Sequence, residues 1–585
     1  MPYRAVIDFA EDGQAPTSLV FAEPIEVLRA DTLDAVEGVL RAAQARADAG
    51  AWVVGLVGYE AAPAFDVAFR VRGAAPTPLA WFAVFERPQR VRRDASHTAG
   101  AALELQADTD FAAYAAAFES IRRAISDGEI YQANYTLRLR GRCAHETRAL
   151  YETLREAQPA AYGAWLDLGG HQVLSLSPEL FFRRDGDRLT TRPMKGTRAR
   201  GRYPAEDLKL ERELRESAKD RAENLMIVDL LRNDLSRLAR RGGVTVPQRY
   251  ALERLPTVWQ MTSTVTAEIA PDCGLFEIFG ALFPCGSITG APKVKAMEWI
   301  AQLETSPRGV YCGAIGLLKP GGDAVFNVAI RTVVVDGERH EAICGVGSGI
   351  VWDSTADDEY AEALLKGSFL RREPWPPFGL IETMRLEQGV VPRLARHLAR
   401  LEASARYFGF ALDVVGWRGA VEHAARQAAA GLHRLRLCLR ADGELHIDVQ
   451  PFVADAADVP RRIVLDPMPV RRDDLRLFHK TTLREPYEAA AARHPDAFDV
   501  LLRNEQGELT EFTRGNLVLE LDGRRLTPAL DGGLLDGCLR REWIERGEIV
   551  EARLTVDELA RATRIWFINS LRGPLLVSWE RGDPR

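Results

Sequence analysis

The sequence predicts two α+β domains in tandem, and three observations lead there. The chain has 585 residues with 46% hydrophobic and 27% charged side chains, which is ordinary globular usage. At roughly 150 residues per domain this length allows up to four domains, or two large ones. The string Arg372-Glu373-Pro374-Trp375-Pro376-Pro377 then places three prolines in four residues. They cannot continue a helix and read as a stiff linker over 372–377. On either side, strand and helix signals are mixed, without the strict alternation of a parallel α/β fold.

The elements follow in order. Residues 1–105 form an N-terminal subregion, with a weaker join near Arg87–Thr98, where a polar stretch follows the apolar Leu79–Phe85. Phe111–Ile125 is an Ala-rich helix. Val173–Leu176 and Leu180–Phe182 read as strands, and Ala205–Leu238 as one helix. Gly313–Leu318, Asp323–Val335 and Ala342–Val346 read as strands separated by Gly and Asp-Gly turns. Ala356–Leu370 closes this part as a helix, which gives a first domain over 1–371. The second, 378–585, opens with a strand at Phe378–Leu386 and a helix at Arg393–Tyr407. Near its end Leu517–Leu521, Asp522-Gly523 and Arg524–Leu526 carry a hairpin signal.

Composition excludes several classes. With 83 acidic against 76 basic residues the net charge is −7, a poor match to nucleic acid. Seven cysteines lie scattered without a C-x-x-C pair, against a disulfide framework or structural zinc. The first residues do not read as a signal peptide, and no apolar run reaches the ~18 residues of a membrane span. No membrane association and a cytoplasmic location are expected.

Lysine is the informative residue type. Only eight of the 76 basic residues are lysine. Unlike Arg, Lys can shed its proton and act as a nucleophile or form a Schiff base. Lys195 stands in a Pro-Met-Lys-Gly-Thr string that reads as a turn, sixteen positions after Glu179 of Ser177-Pro178-Glu179. Asp220 and Glu223 share one helix face at i,i+3, and so do Glu359 and Glu362, with Lys366 one turn further on. Two such faces brought together would line a few-ligand site suited to Mg²⁺. Gly286–Lys293 and Gly345–Ile350 read as loops that could approach an anion. The first lacks the Walker order and the second the dinucleotide spacing. Taken singly, these acids also fit solvated helix faces, and the Glu–Lys pair fits an ordinary surface ion pair.

Taken together, residues of about 110–370 resemble the chorismate-utilising enzymes, the family of anthranilate, aminodeoxychorismate, isochorismate and salicylate synthases. The matching strings are Gly128–Asn134, Ser177–Glu179, Pro193–Thr197, Asp220–Asp234, Gly286–Lys293, Ala329–Thr332 and Gly347–Lys366. The resemblance implies stacked antiparallel sheets flanked by helices. Within the family, Lys in the Pro-x-Lys-Gly-Thr string resembles the aminodeoxychorismate synthases, where anthranilate synthases resemble Pro-Ile-Ala-Gly-Thr. Lys195 would then attack C2 of chorismate while Glu179 protonates the departing 4-hydroxyl. Ammonia adds at C4 and expels the lysine. Such an attack needs a neutral amine. The resemblance further implies Glu223 and Glu362 as Mg²⁺ ligands, supported by Asp220 and Glu359, with the ion and Lys366 holding the ring carboxylate. Tyr311 and Arg331 would hold the enolpyruvyl carboxylate, with the backbone of Gly345 and Gly347 and the Thr289 hydroxyl completing the anion contacts. Two positions depart from the family: Gln260 replaces a frequent His and is assigned only positioning, and Ser348 stands where a third Gly is usual.

After residue 376 one lysine remains, Lys480, followed some thirty residues on by Glu511. That spacing suits a pyridoxal phosphate site, with Lys as Schiff base and an acid on the pyridinium nitrogen. Phe378–Arg385, His397–Leu401, His479–Thr482, Thr510-Glu511 with Asn516, and Asn569–Gly573 resemble the fold-type IV pyridoxal phosphate group. That group contains branched-chain and D-amino-acid aminotransferases and aminodeoxychorismate lyase. The resemblance implies Lys480 as the Schiff-base lysine and proton carrier, and Glu511 beneath the pyridinium nitrogen. Arg400, Ser570 and the backbone of Cys538 and Leu539 would hold the phosphate. The segment is short before Phe378, as if part of the usual small subdomain were trimmed. A homodimer through this domain is left open.

Order supplies the joint implication. A C4-aminating domain followed by a lyase would make 4-aminobenzoate, for folate, from chorismate. Ammonia would come from a separate glutamine amidotransferase subunit, because no cysteine here sits in a Gly-x-Cys-x-Gly elbow. Two alternatives stand beside it: an anthranilate-type synthase joined to a branched-chain or D-amino-acid transaminase, and a regulatory protein that binds chorismate without turnover.

Overall fold

A computed structural model describes residues 4–9, 17–92, 103–255, 257–454 and 459–580. Of the weaker join expected near Arg87–Thr98, residues 93–98 lie outside this range. The chain divides into two units, one of residues 1–199 and 211–376, the other of 200–210 and 377–585. Residues 372–379 carry no regular secondary structure.

Two ten-stranded antiparallel sheets form the first unit. One runs from the short strand Gly290–Ala291 through β1 (Gln132–Arg142) to Gln89–Arg92, and includes β2 (His171–Ser177). The other includes β3 (Leu180–Asp185), β4 (Met194–Ala199) and β5 (Val258–Ile269). The strand β6 (Glu341–Ile350) pairs with β1 over ten residues, from Glu341 opposite Arg142 to Ile350 opposite Ala133. Strand periodicity explains the stacking. In Trp52–Val57, Val54 and Leu56 join a core shared with Ala5, Ile7, Ala164 and Leu166 of the other sheet. Val53 and Val57 point the opposite way, into a core closed by the helices Leu33–Asp48 and Leu275–Leu282. The same alternation splits Ala80–Phe85. These strands are continuously apolar because both faces are buried. Helices Phe111–Ser126 and Thr147–Ala157 cover the outer face of the first sheet.

Several expected elements differ from those found. The single helix over 205–238 is two, Pro204–Glu216 and α1 (Ala218–Ser236), because extended Ser217 interrupts them and caps the second through its hydroxyl. Lys195 lies on β4 rather than in a turn, with Gly196 at φ 90° in a register shift against β5. The Gly345–Ile350 string is not a loop but the end of β6, and Gly286–Lys293 folds as a 3-10 turn, a two-residue strand and the start of a helix. The strand expected over 323–335 breaks around Arg331, which has φ 49°. The closing helix α2 ends at Lys366 (Ala356–Lys366), followed by a short 3-10 turn.

In the second unit, β7 (Leu380–Glu387) opens a three-stranded antiparallel sheet backed by α3 (Leu394–Phe408) and Val414–Gln427. An eight-stranded mixed sheet contains β8 (Leu509–Phe512), and α4 (Cys538–Glu545) follows. The hairpin forms as expected. Asp522 and Gly523 both have positive φ, 50° and 74°, as a two-residue type I′ turn requires. No helix among the described residues is long and apolar enough to cross a membrane.

Candidate functional site

The first unit holds an amine on a strand and an acid in the link between two others. Glu179 sits between β2 and β3, 3% exposed. It accepts a hydrogen bond from the Ser287 hydroxyl at 2.8 Å and another from the Met194 amide, one residue before Lys195. Burial pushes its carboxyl up to about 7, against the pull of Ser287 and Lys195. Lys195 is half-buried, and its ammonium makes no hydrogen bond among the described residues. Burial and then Lys366 push it below the ordinary lysine range, while Glu223, Glu179 and Glu362 oppose the shift. A methyl added to Gly349 on β6 would stand 3.3 Å from Lys195 Nζ, so the bare backbone there leaves the amine its space.

The strand carrying Lys195 is held from both sides. Gln260 on β5 accepts from the Thr197 hydroxyl at 2.8 Å and donates to the Gly196 carbonyl at 2.9 Å. Asn224 on α1 donates to the Lys195 carbonyl at 3.4 Å and takes the Ser263 hydroxyl at 2.6 Å. Gly196 is required twice: its φ is positive, and a Cβ would lie 3.0 Å from Asp220 Cβ.

The carboxylates meet unequal fates. Asp220 pairs with Arg198 at 3.1 Å and Glu359 accepts from Ser354 at 2.6 Å. Glu362 pairs with Lys366 at 2.8 Å. Burial raises its carboxyl but Lys366 and Lys195 outweigh this and hold it low. Glu223 has no hydrogen bond or ion pair among the described residues. Burial raises it against the pull of Lys195 and Lys219, and Asp220 and Glu359 add to the rise. No three of these four converge within a common ligand distance among the described residues. The set nevertheless fits a hard divalent cation: all donors are carboxylate oxygens, and Glu223 makes no hydrogen bond or ion pair among the described residues.

Of the expected anion contacts, Arg331 stands out. Burial pushes its guanidinium down, and the half-buried side chain makes no hydrogen bond or ion pair among the described residues. The Tyr311 ring lies against Gly345, where a Cβ would come within 2.1 Å of it. Arg138 reaches over that ring at 5.6 Å and is tied to Glu304 at 3.2 Å. Lys366 Nζ donates to the Gly347 carbonyl at 2.9 Å. Thr289 is fully buried and donates its hydroxyl to the Cys285 carbonyl at 3.1 Å. Ser348, also buried, lies 3.3 Å from the Tyr114 hydroxyl and from the Glu359 carbonyl.

The second unit has its own amine. Lys480 makes no side-chain hydrogen bond among the described residues. Burial, then Arg484 and Arg400, push it down to about 8. Glu511 on β8 is 4% exposed and surrounded by donors: the Tyr487 hydroxyl at 2.7 Å, the Leu535 amide at 2.9 Å and the Asn516 amide at 3.3 Å. Burial still lifts it to about 7. Arg400 on α3 forks onto Glu382 of β7 at 2.8 and 2.6 Å and donates to the Asp536 carbonyl at 3.0 Å, just ahead of α4. His397 shares Glu382 at 2.7 Å. Burial raises Glu382, but Arg400 and His397 overcome this and hold it at about 2. His397 in turn rises to about 9 despite burial, through Glu382 and Cys538. Glu382, His397 and Cys538 lie within 4.8 Å of one another, yet Arg400 already satisfies that carboxylate.

These residues fit pyridoxal phosphate. Lys480 is an unpaired amine with a lowered pKa, Glu511 an acceptor suited to a ring N–H. The first amides of α4, at Cys538 and Leu539, are among those a helix leaves unpaired at its start, and they suit phosphate. A Cβ on Gly537 would strike Asn516 Oδ1 at 2.0 Å, so the turn into α4 needs glycine. Ser570, at a half-buried turn, makes no side-chain hydrogen bond among the described residues. Ser287, Asn224, Tyr487 and Glu382 escaped assignment from sequence. Ser287, Asn224 and Glu382 stand in noted strings and Tyr487 in none, but the partners of all four are brought together only by the fold.

Comparisons with known proteins agree with this division. The family model for chorismate binding enzyme matches residues 6–372, and that for amino-transferase class IV matches 379–578. Aminodeoxychorismate synthase component 1 of Escherichia coli is 41% identical over 254 residues, covering 43% of this chain and 55% of its own. Anthranilate synthase component 1 1 of Haloarcula marismortui is 40% identical over 265 residues, 45% of this chain and 54% of its own. The chain thus spans about half the length of these curated relatives. The crystal structure of anthranilate synthase component I from Streptococcus pneumoniae shares the fold, at TM-score 0.54 and 24% identity, over 62% of this chain and 94% of that one.

Proposed function

The chain belongs to the chorismate binding enzymes through residues 6–372, and on that premise we propose that it aminates chorismate at C4 and then eliminates pyruvate to give 4-aminobenzoate. Residues 1–371 carry the first reaction, 372–377 link, and 378–585 carry the second. One observation bears most of this reading: an unpaired, pKa-lowered Lys195 beside a pKa-raised Glu179. Two relatives of nearly equal identity bear different names, so the amine at this position decides between amination at C4 and an anthranilate-type reaction.

Neutral Lys195 attacks C2 of the ring. The ring double bond shifts, and Glu179, protonated below about 7, gives its proton to the departing 4-hydroxyl, which leaves as water. Ammonia then adds at C4 and the lysine leaves from C2, restoring the free amine. Arg331 and Tyr311 hold the enolpyruvyl carboxylate. Glu223 and Glu362, with Asp220 and Glu359 in support, would hold Mg²⁺, which would supply positive charge for the ring carboxylate together with Lys366. A separate glutamine amidotransferase subunit supplies the ammonia.

In the second unit pyridoxal phosphate, when bound, supplies an electron sink. Lys480 would anchor it and move protons between the substrate carbons. Glu511, fixed by Tyr487, Asn516 and Leu535, would accept from the ring nitrogen. Arg400, Ser570 and the amides of Cys538 and Leu539 would hold the phosphate. Loss of pyruvate aromatises the ring, so no amino acceptor is required.

The test is chorismate with ammonium, Mg²⁺ and pyridoxal phosphate, products identified by mass. 4-Aminobenzoate and pyruvate without added 2-oxoglutarate are expected. Anthranilate as the product overturns the first half, and an absolute need for 2-oxoglutarate overturns the second.

A further inference from the structure

Residues Arg200–Leu210 follow the Lys195 strand in sequence yet fold within the second unit. They are anchored there at several points. Arg200 and Asp207 form a buried two-bond ion pair at 2.7 and 2.8 Å, and Asp207 also takes the Gly201 amide at 2.9 Å. The Arg200 guanidinium lies 4.3 Å over the Tyr407 ring. Arg202 donates to the carbonyls of Arg472 at 3.1 Å and Asp531 at 3.0 Å, while Tyr203 stacks on Phe478 at 5.4 Å.

All these contacts fix one group, the Arg202 carbonyl, which lies 3.1 Å from His479 Nε2. A carbonyl can only accept, so Nε2 carries the proton. Nδ1 must then accept from the Ser404 hydroxyl at 3.0 Å. The ring is enclosed by Tyr407 at 4.5 Å and Phe408 at 4.7 Å. Burial pushes this imidazole down to about 4, so it stays neutral and in one tautomer near neutral pH. His479 is therefore a fixed post rather than an acid or base, and the next residue is Lys480. The Lys480 carbonyl is pinned in turn by the Ile381 amide at 2.8 Å.

We propose that the Arg200–Leu210 segment is a positioning element of the pyridoxal phosphate site, acting through the Arg202 carbonyl and His479 on Lys480. Backbone on one side and strand β7 on the other set where the amine emerges. The inference rests on the reading of Lys480 as the residue that bonds the cofactor. It also means that 377–585 alone lacks part of its own lysine site.

The full-length chain, stripped of cofactor, tests this by absorbance titration with pyridoxal phosphate and by hydrogen exchange of the amides of 475–482. Asp207→Ala releases the segment. It should weaken capture between roughly ten- and a hundredfold, the cost of a displaced reactive group, and speed exchange at 475–482. C4 amination should persist. His479→Gln keeps an N–H reaching the Arg202 carbonyl and should capture nearly as wild type. His479→Asn reaches only toward Ser404 and should behave as Asp207→Ala. Equal capture by the Gln and Asn variants overturns the inference, as does unchanged capture and exchange in Asp207→Ala. A wild-type chain that captures no pyridoxal phosphate overturns the cofactor reading itself and this inference with it.

Discussion

Lys195 and Lys480 reach the same state by different surroundings. Burial lowers both. Around Lys195 one lysine pushes in the same direction and three carboxylates resist. Around Lys480 two arginines push and two carboxylates resist. The acids beside them differ more. Glu179 and Glu511 are both lifted to about 7 by burial. Glu179 accepts from one hydroxyl and one amide, whereas Glu511 is held by a hydroxyl and two N–H groups. The first arrangement leaves a carboxyl free to part with a proton. The second fixes an acceptor in place. On the proposed reading, equal pKa values serve opposite ends.

If the two sites are separate chemical machines, each lysine should matter to one reaction only. Lys195→Ala should lower C4 amination by at least roughly 10⁴-fold, the scale for removing a nucleophile, while added aminodeoxychorismate is still cleaved. Lys480→Ala should abolish capture of pyridoxal phosphate, since residues 377–585 hold no other lysine, and aminodeoxychorismate should accumulate. Mass analysis of both product pools checks the pair. Loss of both reactions in either single variant would break the comparison.

The next effect concerns stability and belongs to the second site alone. Glu382→Gln leaves Arg400 and His397 buried without their shared anion, a loss of about 3–5 kcal/mol, visible as an earlier thermal transition of the second unit. The folded carboxyl is held at about 2, below its ordinary 4.5. Its stabilisation is therefore present above the ordinary value and is lost as pH falls through about 2. The Gln variant should lack that acid-range dependence. No equally tight charge cluster surrounds Glu179, so Glu179→Gln should leave the first unit's transition nearly unmoved.

A smaller effect separates the metal site from the amine. Glu362→Gln should raise the Mg²⁺ concentration for half-maximal amination by roughly tenfold or more, because a neutral amide replaces a hard anion and Lys366 loses its partner at 2.8 Å. The second reaction should keep its rate in the same variant. An unchanged Mg²⁺ requirement would move the ion away from Glu362.

Motif residues were legible in sequence, and their supports were not. Lys195, Glu179, Lys480 and Glu511 could be picked out because composition isolates the lysines and short strings frame the acids. The turn expected at Lys195 failed because one glycine at positive φ is absorbed as an irregularity within a strand. Apolar spacing runs through Ser217 and predicts one helix over 205–238, and only the cap at Ser217 divides it. Ser287, Tyr487 and the Glu382–Arg400 fork depend on partners 108, 24 and 18 positions away, and no local periodicity records such pairings.

The finest test asks whether Glu179 trades its proton. Ser287 donates at 2.8 Å to the carboxylate, which favours the charged form and lowers the pKa. Ser287→Ala removes that donor, so the pKa of Glu179 rises above about 7. One hydrogen bond contributes about 1 kcal/mol and one pKa unit is about 1.4 kcal/mol, so the rise is just under about one unit. A proton donor works only while protonated, so amination declines as pH rises through this pKa. In the variant that decline should begin later. The ratio of variant to wild-type amination, taken at each pH to cancel the titration of ammonia, should be nearly flat below pH 7 and should climb above it. The matching change at the second site, Tyr487→Phe, removes a donor from Glu511, which holds rather than gives a proton. It should weaken pyridoxal phosphate capture without moving the alkaline limb. A flat ratio across the whole range for Ser287→Ala would mean that Glu179 is held as Glu511 is, and that the proton for the departing hydroxyl comes from elsewhere.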